Sequence, residues 1–245
     1  MKYSLDHLFD LRGRVAVITG GSGVLGSEMA RALGDLGVKV AIIGRNLDKA
    51  QPVVEQIAKN GGTAMAVSCD VLKKDALETA RKTIFDKFGP TDILVNGAGG
   101  NNKNATTGGT SIADQIDPTF FNLDPAGIQF VFDVNFIGTM LATQVFARDM
   151  VERKSGSIIN ISSMSAFRPL TKVMSYSAAK AAVNSLTEWL SVHMAPANVR
   201  VNAIAPGFFL TEQNRFLLTD EKTGALTARG NTIVNNTPMK RFGEA

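Results

Sequence analysis

Short apolar segments alternate with amphipathic segments along most of this 245-residue chain, and this alternation restricts the fold more than any other feature. The apolar segments predict strands at Val15–Thr19, Val38–Ile43, Ala64–Ser68, Asp92–Asn96, Ser157–Ile161 and Arg200–Ile204. The amphipathic segments predict helices at Ser27–Leu36, Asp48–Lys59, Lys74–Phe88, Gly127–Arg153 and Tyr176–Met194. Nearly continuous apolar strands separated by helices are typical of a parallel sheet with helices on both faces. The sequence therefore predicts a doubly wound α/β fold.

The chain shows no internal repeat, low-complexity tract or linker, which predicts a single domain over residues 1–245. Two segments are long for loops, namely residues 100–124, which are rich in Asn, Thr and Gly, and residues 208–242, which carry mixed helix and turn signals. Long segments at strand ends often form lids over functional sites, and a solvated surface loop is the alternative for each of them.

Composition and charge argue against several classes of function. The net charge is +4 and the basic residues are scattered, so a nucleic-acid interface is not expected. The single cysteine, Cys69, excludes an internal disulfide and fits a reducing compartment. The N-terminal residues lack the apolar region of a signal peptide, and no apolar run reaches the ~18 residues that span a bilayer. We therefore expect a cytoplasmic protein without a membrane partner. No metal site is expected, because His7 and His193 are isolated from other ligand residues.

A glycine-rich segment, Thr19–Gly26, follows the first predicted strand and leads into the first helix. Its glycines have the spacing of the dinucleotide fingerprint in the required strand–turn–helix context. Glycine lets the backbone approach a pyrophosphate closely, and a helix N-terminus offers free N–H groups with a partial positive charge. The segment therefore predicts a Rossmann-type dinucleotide site. Its predicted binding residues are Gly20, Gly21, Ser22, Gly23, Val24, Leu25 and Gly26.

The ends of the next strands predict further contacts to the dinucleotide. Arg45 follows the second strand, near the position where an acidic residue would bind the ribose of NAD. A guanidinium suits a 2′-phosphate, so NADP is favoured, and NAD stays open because Arg45 can also be a solvated side chain. Asp70 would accept a hydrogen bond from the adenine amino group. The segment from Asn96 to Gly99 would leave room for the ribose and support the sheet. The other residues predicted to bind the cofactor at these strand ends are Asn46, Val71, Gly97 and Ala98.

Tyr176 and Lys180 are four residues apart, which places the phenol and the ammonium on one face of a helix. A nearby cation favours the phenolate and lowers the tyrosine pKa from about 10. Such a tyrosine can take a proton from an alcohol or return one to an alkoxide. The hydroxyl of Ser163, at a neighbouring strand end, could hold the same oxygen. Taken alone, the spacing also fits a packed tyrosine beside a surface lysine.

These motifs, in this order, resemble those of the short-chain dehydrogenase/reductase family from about Leu11 to Glu244. The segment Thr19–Gly26 is similar to the glycine motif of the family, and Asn96–Gly99 is similar to its Asn-Asn-Ala-Gly motif. Val24 and Gly97 depart from the usual residues of these motifs. The resemblance implies the catalytic set Asn135, Ser163, Tyr176 and Lys180. It also implies cofactor contacts, at the nicotinamide end, from Tyr176, Lys180, Pro206, Gly207, Phe209 and Thr211.

Within the family, the chain is most similar to the D-mannonate oxidoreductase (fructuronate reductase) group, through Asn96–Asn101, Ser163–Thr171 and Ala205–Asn214. This resemblance implies an NAD(P)(H)-dependent oxidoreductase that interconverts a secondary alcohol and a ketone on a sugar acid, such as D-fructuronate and D-mannonate. Tyr176 would act as the general acid/base. The alternatives are a gluconate 5-dehydrogenase, a 3-oxoacyl reductase and, from another class, a dinucleotide-sensing binding module.

A sugar-acid substrate needs a cation for its carboxylate and hydrogen-bonding groups for its hydroxyls. The predicted substrate-binding residues are Ser163, Arg168, Arg215 and Asn101. Family members usually continue with another helix and a last strand, so we expect the chain to lack these elements. The resemblance also implies a homodimer or homotetramer packed through the helices that carry Asn135 and Tyr176.

Overall fold

The structure is a computed structural model that describes residues 9–168, 170–210, 215–220 and 223–244. The backbone forms two compact units, the first ending at Ile204 and the second beginning at Ala205. The strands of the first unit are β1 (Val15–Thr19), β2 (Lys39–Gly44), β3 (Thr63–Ser68), β4 (Ile93–Asn96), β5 (Gly156–Ile161) and β6 (Val199–Ile204). Its α-helices are α1 (Val24–Asp35), α2 (Leu47–Lys59), α3 (Lys74–Phe88), α4 (Pro125–Phe132), α5 (Gly138–Arg153) and α6 (Met174–Met194).

The six strands within these described ranges form one parallel sheet in the order β3-β2-β1-β4-β5-β6. Thr19 pairs with Ile43 on one side and with Asn96 on the other, so β1, β2 and β4 end together at one edge. The strand order reverses between β1 and β4, and doubly wound sheets bind their ligands at the carboxyl edge of such a reversal. The predicted doubly wound, Rossmann-type fold is confirmed.

Apolar side chains cover both faces of the sheet. Val17 of β1 packs in a cluster with Phe146 of α5, whereas the next residue, Ile18, packs in a second cluster with Ile57 of α2. All four side chains are fully buried. Each contributes about 1.5–3 kcal/mol relative to an exposed side chain. Burial on both faces explains why the strands read as continuous apolar runs rather than as alternating ones.

The helix predicted from Gly127 to Arg153 is not one continuous α-helix. Asp124 caps an earlier start, because its carboxylate accepts hydrogen bonds from the N–H groups of Ala126 and Gly127. A π-helical turn, Asp133–Ile137, separates α4 from α5. Within this turn the side chain of Asn135 donates a hydrogen bond to the Val131 carbonyl, one helical turn earlier. Insertions of this kind are common at functional sites.

The α1 helix begins at Val24 rather than at the predicted Ser27, because Gly23 already acts as its N-cap. The other predicted boundaries agree with the structure to within two residues. The long segment of residues 100–124 contains three short 3₁₀ turns, Lys103–Ala105, Ile112–Asp114 and Phe120–Asn122.

One helical stretch among the described residues, Pro125–Arg153, is long and apolar enough to cross a membrane, with a mean hydropathy of 1.4. This differs from the expectation that no segment reaches that length, because the stretch tolerates a few polar residues within an apolar average. Half of its apolar window is buried inside the protein, and the stretch includes the buried Asn135 and Asp149. A core helix of a soluble protein has the same properties, so the stretch is weak evidence for a membrane span.

The second unit contains two α-helices in its described residues, α7 (Arg215–Leu218) and α8 (Ala228–Asn236). Isolated bridges pair Phe209 with Gly243 and Thr219 with Leu226. The hydroxyl of Thr227 caps α8 by accepting a hydrogen bond from the Gly230 N–H. These helices agree with the mixed helix and turn signals of residues 208–242.

Candidate active site

The turn after β1 has the geometry of a cradle for an anion. Gly20 has a φ of +68°, a conformation that favours glycine. A Cβ added there would lie 2.7 Å from the Gly97 carbonyl oxygen, and one added at Gly26 would collide with the Gly20 carbonyl oxygen. Gly23 starts α1 without a side-chain cap, which leaves N–H groups of the first turn for a ligand. These features fit the pyrophosphate of a dinucleotide.

The other predicted residues of this glycine turn are buried or half-buried. Gly21 is buried, and a Cβ there would lie 3.1 Å from the Ile18 carbonyl oxygen. The Ser22 hydroxyl lies beside Gly44 at the end of β2, 3.6 Å from where a Cβ of that glycine would be. Val24 and Leu25 are half-buried in the first turn of α1. The turn is therefore compact and adjoins the residues that follow β2.

Two of the predicted cofactor residues follow β2. Arg45 is exposed, and the ion pairs found among the described residues do not include it. Its guanidinium is therefore accessible to an anionic group. Asn46 has a structural task, because its Oδ1 atom accepts a hydrogen bond of 2.8 Å from the Asp48 N–H and caps α2. The Oδ1 atom of Asn46 is thus engaged in the helix cap.

At the end of β3, Asp70 is half-buried and its Oδ1 atom accepts a hydrogen bond of 3.0 Å from the Leu72 N–H. Val71 is buried and packs against the start of α5, where a Cβ at Gly138 would lie 2.8 Å from its Cγ2 atom. The side chain of Val71 therefore belongs to the core, and any contact from this residue to a cofactor would come from its backbone.

The segment that follows β4 is held beside the glycine turn by Thr19, a residue that the sequence prediction missed. The Thr19 hydroxyl accepts hydrogen bonds from the N–H groups of Gly97 (3.1 Å) and Ala98 (3.2 Å). A Cβ at Gly97 would lie 2.9 Å from the Thr19 carbonyl oxygen, which explains the departure from the asparagine usual at this position. The sequence did contain a signal for this role, because Thr19 is a polar residue at the end of an apolar strand.

The side chain of Asn96, predicted to bind the cofactor, lies in the core instead. It is buried, and its Nδ2 atom donates to Thr143 Oγ1 at 2.9 Å and to Asn160 Oδ1 at 2.8 Å. Asn160 in turn donates to Thr187 Oγ1 at 2.8 Å. This polar chain joins α5, β4, β5 and α6, because buried polar groups need partners. Asn96 therefore fixes the sheet beneath the site.

Asn135 is fully buried in the π-helical turn and holds the backbone after β4. Its Nδ2 atom donates to the Gly100 carbonyl at 2.7 Å, and its Oδ1 atom accepts from the Gly100 N–H at 3.3 Å. A Cβ at Gly99 would lie 2.6 Å from Asn135 Oδ1 and 3.4 Å from Lys180 Nζ. Asn135 and Lys180 therefore converge on Gly99.

Lys180 is buried, and its Nζ atom donates a hydrogen bond of 2.7 Å to the Ile161 carbonyl at the end of β5. Burial lowers the pKa of Lys180 to about 8, because an apolar environment disfavours the ammonium. The Nζ atom lies 5.7 Å from the centre of the Tyr176 ring, on the same helix. The predicted approach of these two side chains is present in the structure.

The prediction that Lys180 lowers the pKa of Tyr176 is wrong for this structure. Burial raises the pKa of the Tyr176 phenol, and a hydrogen bond with the side chain of Ser163 opposes this rise. The physical reason is that burial disfavours both the phenolate and the ammonium, while the Lys180 hydrogen bond goes to the Ile161 carbonyl. Ser163, rather than Lys180, is the group that favours the phenolate.

Ser163 follows β5 and caps the 3₁₀ turn Met164–Ala166. Its Oγ atom accepts hydrogen bonds from the N–H of Ser165 at 3.2 Å and from the hydroxyl of Ser165 at 3.0 Å. Ser165 is buried, with 4% of its surface exposed. The sequence prediction missed Ser165, although a second serine two residues after Ser163 was visible.

Three of the residues predicted to bind the substrate, Asn101, Arg168 and Arg215, are exposed. Asn101 is exposed, and its side chain bonds to Thr106 and to the Asn102 N–H. Arg168 is exposed after the 3₁₀ turn that Ser163 caps. Arg215 is exposed at the start of α7, in the second unit. Pro206, Gly207 and Phe209 open the second unit, and Thr211 lies outside the described residues.

The sequence pattern of the short chain dehydrogenase family matches residues 14–222. The chain belongs to the short chain dehydrogenase family. The uncharacterized oxidoreductase UxuB of Bacillus subtilis (strain 168) is 50% identical over 236 residues, which cover 96% of this chain and 84% of the relative. The 5-keto-D-gluconate 5-reductase of Escherichia coli (strain K12) is 33% identical over 240 residues, covering 98% and 87%.

A solved structure is also similar to this chain. It is a candidate D-mannonate oxidoreductase from Haemophilus influenza with bound NAD, 43% identical, with a TM-score of 0.90. The match covers 98% of this chain and 87% of that chain. The predicted family and the similarity to the D-mannonate oxidoreductase group are confirmed. As a short chain dehydrogenase, the chain is an oxidoreductase.

Proposed function

We propose that this short chain dehydrogenase interconverts a secondary alcohol and a ketone on a sugar acid, with D-mannonate and D-fructuronate as the preferred pair. The observation that carries the proposal is a path of contacts along one edge of the sheet. The backbone after β4 contacts the glycine turn through Gly97 and contacts Lys180 through Gly99. The cradle for the dinucleotide and the amine of Lys180 therefore lie at the two ends of one short segment, and this amine is 5.7 Å from the centre of the Tyr176 ring.

In oxidation, Tyr176 takes the proton of the substrate hydroxyl, and in reduction it returns a proton to the forming alkoxide. The hydroxyl of Ser163 donates a hydrogen bond to the same substrate oxygen and stabilises the negative charge that develops there. A bound nicotinamide dinucleotide would supply the hydride acceptor or donor. Ser163 also lowers the pKa of the Tyr176 phenol, which supports the action of the two side chains on one oxygen atom.

Lys180 and Asn135 support the reacting pair. The amine of Lys180 has a pKa of about 8 and lies 5.7 Å from the centre of the Tyr176 ring, where it can bind the nicotinamide ribose. Both hydrogen atoms of the Asn135 amide are used by the carbonyls of Gly100 and Val131. Asn135 therefore acts by holding the backbone of Gly99 and Gly100 against Lys180.

NADP is the favoured cofactor in this proposal, and NAD is the alternative. The exposed guanidinium of Arg45 suits a 2′-phosphate, and the last residue of β2, Gly44, offers no carboxylate for a ribose 2′-hydroxyl. The similar structure that contains NAD supports the alternative. Initial rates with both cofactors, measured at the absorbance of the reduced nicotinamide, decide between them.

The substrate class follows from the relatives. Two similar proteins are named for the sugar acids D-mannonate and 5-keto-D-gluconate. The second name favours a gluconate 5-dehydrogenase as the other candidate function. Arg168 and Arg215 are proposed to bind the carboxylate, because guanidinium binds it with two parallel hydrogen bonds. Replacing each arginine by alanine should raise the KM for fructuronate, and an unchanged KM in both variants would exclude this role.

The central experiment combines a substrate panel with Tyr176→Phe. Uronates, aldonates and ketogluconates should separate the two candidate functions by kcat/KM. Tyr176→Phe keeps the ring but removes the proton-transferring hydroxyl, so turnover should be lost while cofactor binding is retained. Full turnover in this variant would contradict the proposed role of Tyr176.

We also propose a cytoplasmic homodimer or homotetramer that packs through the helices carrying Asn135 and Tyr176. Support comes from α6, where Trp189 is 59% exposed and Val192 is 77% exposed. Large apolar side chains exposed together often mark an interface. Size-exclusion chromatography with light scattering should give the mass of a dimer or tetramer, and a monomer at micromolar concentration would contradict this assembly.

A further inference from the structure

The two serines that follow β5 form a directed pair. Ser163 has extended backbone, with φ −161° and ψ 151°, and this conformation turns its Oγ atom toward the N–H of Ser165 at 3.2 Å. The hydroxyl of Ser165 reaches the same oxygen at 3.0 Å. Both residues are almost completely shielded, with exposures of 9% for Ser163 and 4% for Ser165. Water therefore has little access to compete for these hydrogen bonds.

We propose that Ser165 is a positioning residue that makes Ser163 an obligatory hydrogen-bond donor toward the reacting oxygen. This inference rests on the proposed function of Ser163. A serine hydroxyl has two acceptor positions and one proton to donate. The N–H and the O–H of Ser165 fill the two acceptor positions of Ser163. The proton of Ser163 must then point to a third partner.

The third partner lies on the side of the tyrosine, because the side chain of Ser163 is the group that lowers the pKa of the Tyr176 phenol. A ketone or an alkoxide can only accept a hydrogen bond, so Ser163 must donate in both directions of the reaction. Without the Ser165 hydroxyl, Ser163 could rotate and accept the phenolic proton instead. That arrangement favours the neutral phenol and directs no donor at the substrate. Because the Ser163 donor is oriented before the reaction, the protein does not have to reorganise when charge develops on the substrate oxygen.

The test compares five variants of the 245-residue chain with the substrate and cofactor that give the highest rate. Ser165→Ala removes the hydroxyl donor and keeps the backbone donor. Ser165→Thr keeps a hydroxyl, and Ser165→Cys keeps the size but offers only a weak donor. Ser175→Ala is the matched control, because Ser175 is fully buried beside Tyr176 and its hydroxyl has no partner among the described residues.

In Ser165→Ala, kcat should fall about tenfold, which corresponds to about 1.4 kcal/mol, while the KM for the cofactor stays within about twofold. The rise of kcat with pH in the oxidation direction should move to higher pH by roughly 0.4 to 1 unit, because Ser163 can then accept the phenolic proton, which favours the neutral phenol. Ser165→Thr should restore both values, and Ser165→Cys should lie between alanine and wild type. Ser175→Ala should behave as wild type.

A merely structural role of Ser165 would lower kcat without moving the pH profile, and that outcome overturns the inference. An equal loss in Ser175→Ala also overturns it, because the effect would then come from packing. Ser163→Ala separates this inference from the proposed function. If Ser163→Ala is inactive while Ser165→Ala retains the wild-type rate and pH profile, only the inference fails. If Ser163→Ala is fully active, the proposed role of Ser163 fails as well. Should Ser165→Ala not fold, as judged by near-UV circular dichroism, Ser165→Cys carries the same comparison.

Discussion

Gly99 lies where two proposed catalytic side chains converge, and we predict that one added methyl group there disables the site while the protein stays folded. A Cβ at Gly99 would lie 2.6 Å from Asn135 Oδ1 and 3.4 Å from Lys180 Nζ. Gly99 is not in the left-handed region, so alanine meets no backbone strain. An effect of Gly99→Ala on turnover at saturating cofactor therefore comes from the contacts of the added methyl group, of which the one with Asn135 is the shortest.

The size of the effect follows from how firmly Asn135 is held. An ordinary contact begins at 3.4 Å, so the overlap is 3.4 − 2.6 = 0.8 Å. Asn135 cannot retreat freely, because it is buried and donates at 2.7 and 2.8 Å to two carbonyls. Overpacking of this kind costs about 1–3 kcal/mol, and a broken hydrogen bond costs about 1 kcal/mol more. If about 2 kcal/mol falls on the transition state, kcat/KM drops roughly 30-fold.

Gly100→Ala is the matched control, because a Cβ there would meet none of the described atoms within 4 Å. The assay is kcat/KM for both variants, together with cofactor affinity and urea unfolding. Gly99→Ala should lose activity at least tenfold more than Gly100→Ala. Equal activities of the two variants would refute the view that Asn135 and Lys180 are set by their contact with this glycine.

Three further predictions concern the cofactor, the core and pH. Arg45→Ala should raise the KM for NADP about tenfold and leave the KM for NAD unchanged, as initial rates would measure; an equal rise for both would contradict a phosphate contact. Asn96→Ala should lower the free energy of unfolding by about 1–3 kcal/mol in urea titrations, because it leaves buried Asn160 without its donor. The wild type should gain stability relative to Lys180→Met as pH rises from about 8 to 10. In that window the unfolded lysine binds a proton that the buried one has released. Tyr176 is present in both proteins, so its raised pKa does not enter the difference. A stability difference that falls between pH 8 and 10 would contradict the burial of Lys180.

The sheet was predictable because its strands are buried on both faces. The bounds of β1 were predicted correctly, since Val15 to Thr19 form an apolar run that ends at a glycine turn. The α1 helix began earlier than predicted, because the fingerprint glycines suggest a loop whereas Gly23 is already the N-cap. The local sequence therefore determines whether a helix or a strand forms, whereas the geometry of the N-cap determines the residue at which a helix begins.

Contacts between distant segments explain what the sequence did not reveal. Asn96 matches a cofactor motif, but its side chain is held by Asn160, 64 residues later. The π-helical turn depends on the bonds of Asn135 to Gly100, 35 residues earlier. The pattern of apolar residues within one helix does not show which distant residues its polar side chains bond to. A polar residue in such a motif can therefore hold the sheet in place rather than bind the ligand.

The tyrosine–lysine pair shows how burial can reverse an expectation drawn from spacing. Four residues along a helix do bring the Lys180 nitrogen to 5.7 Å from the ring of Tyr176. Both groups are then removed from water, which raises the pKa of the phenol and lowers that of the amine. The neutral phenol is the form that protonates an alkoxide, so lower pH favours reduction. In the proposed mechanism, oxidation needs the phenolate and becomes faster as pH rises, and Ser163 is the group that favours ionisation of Tyr176.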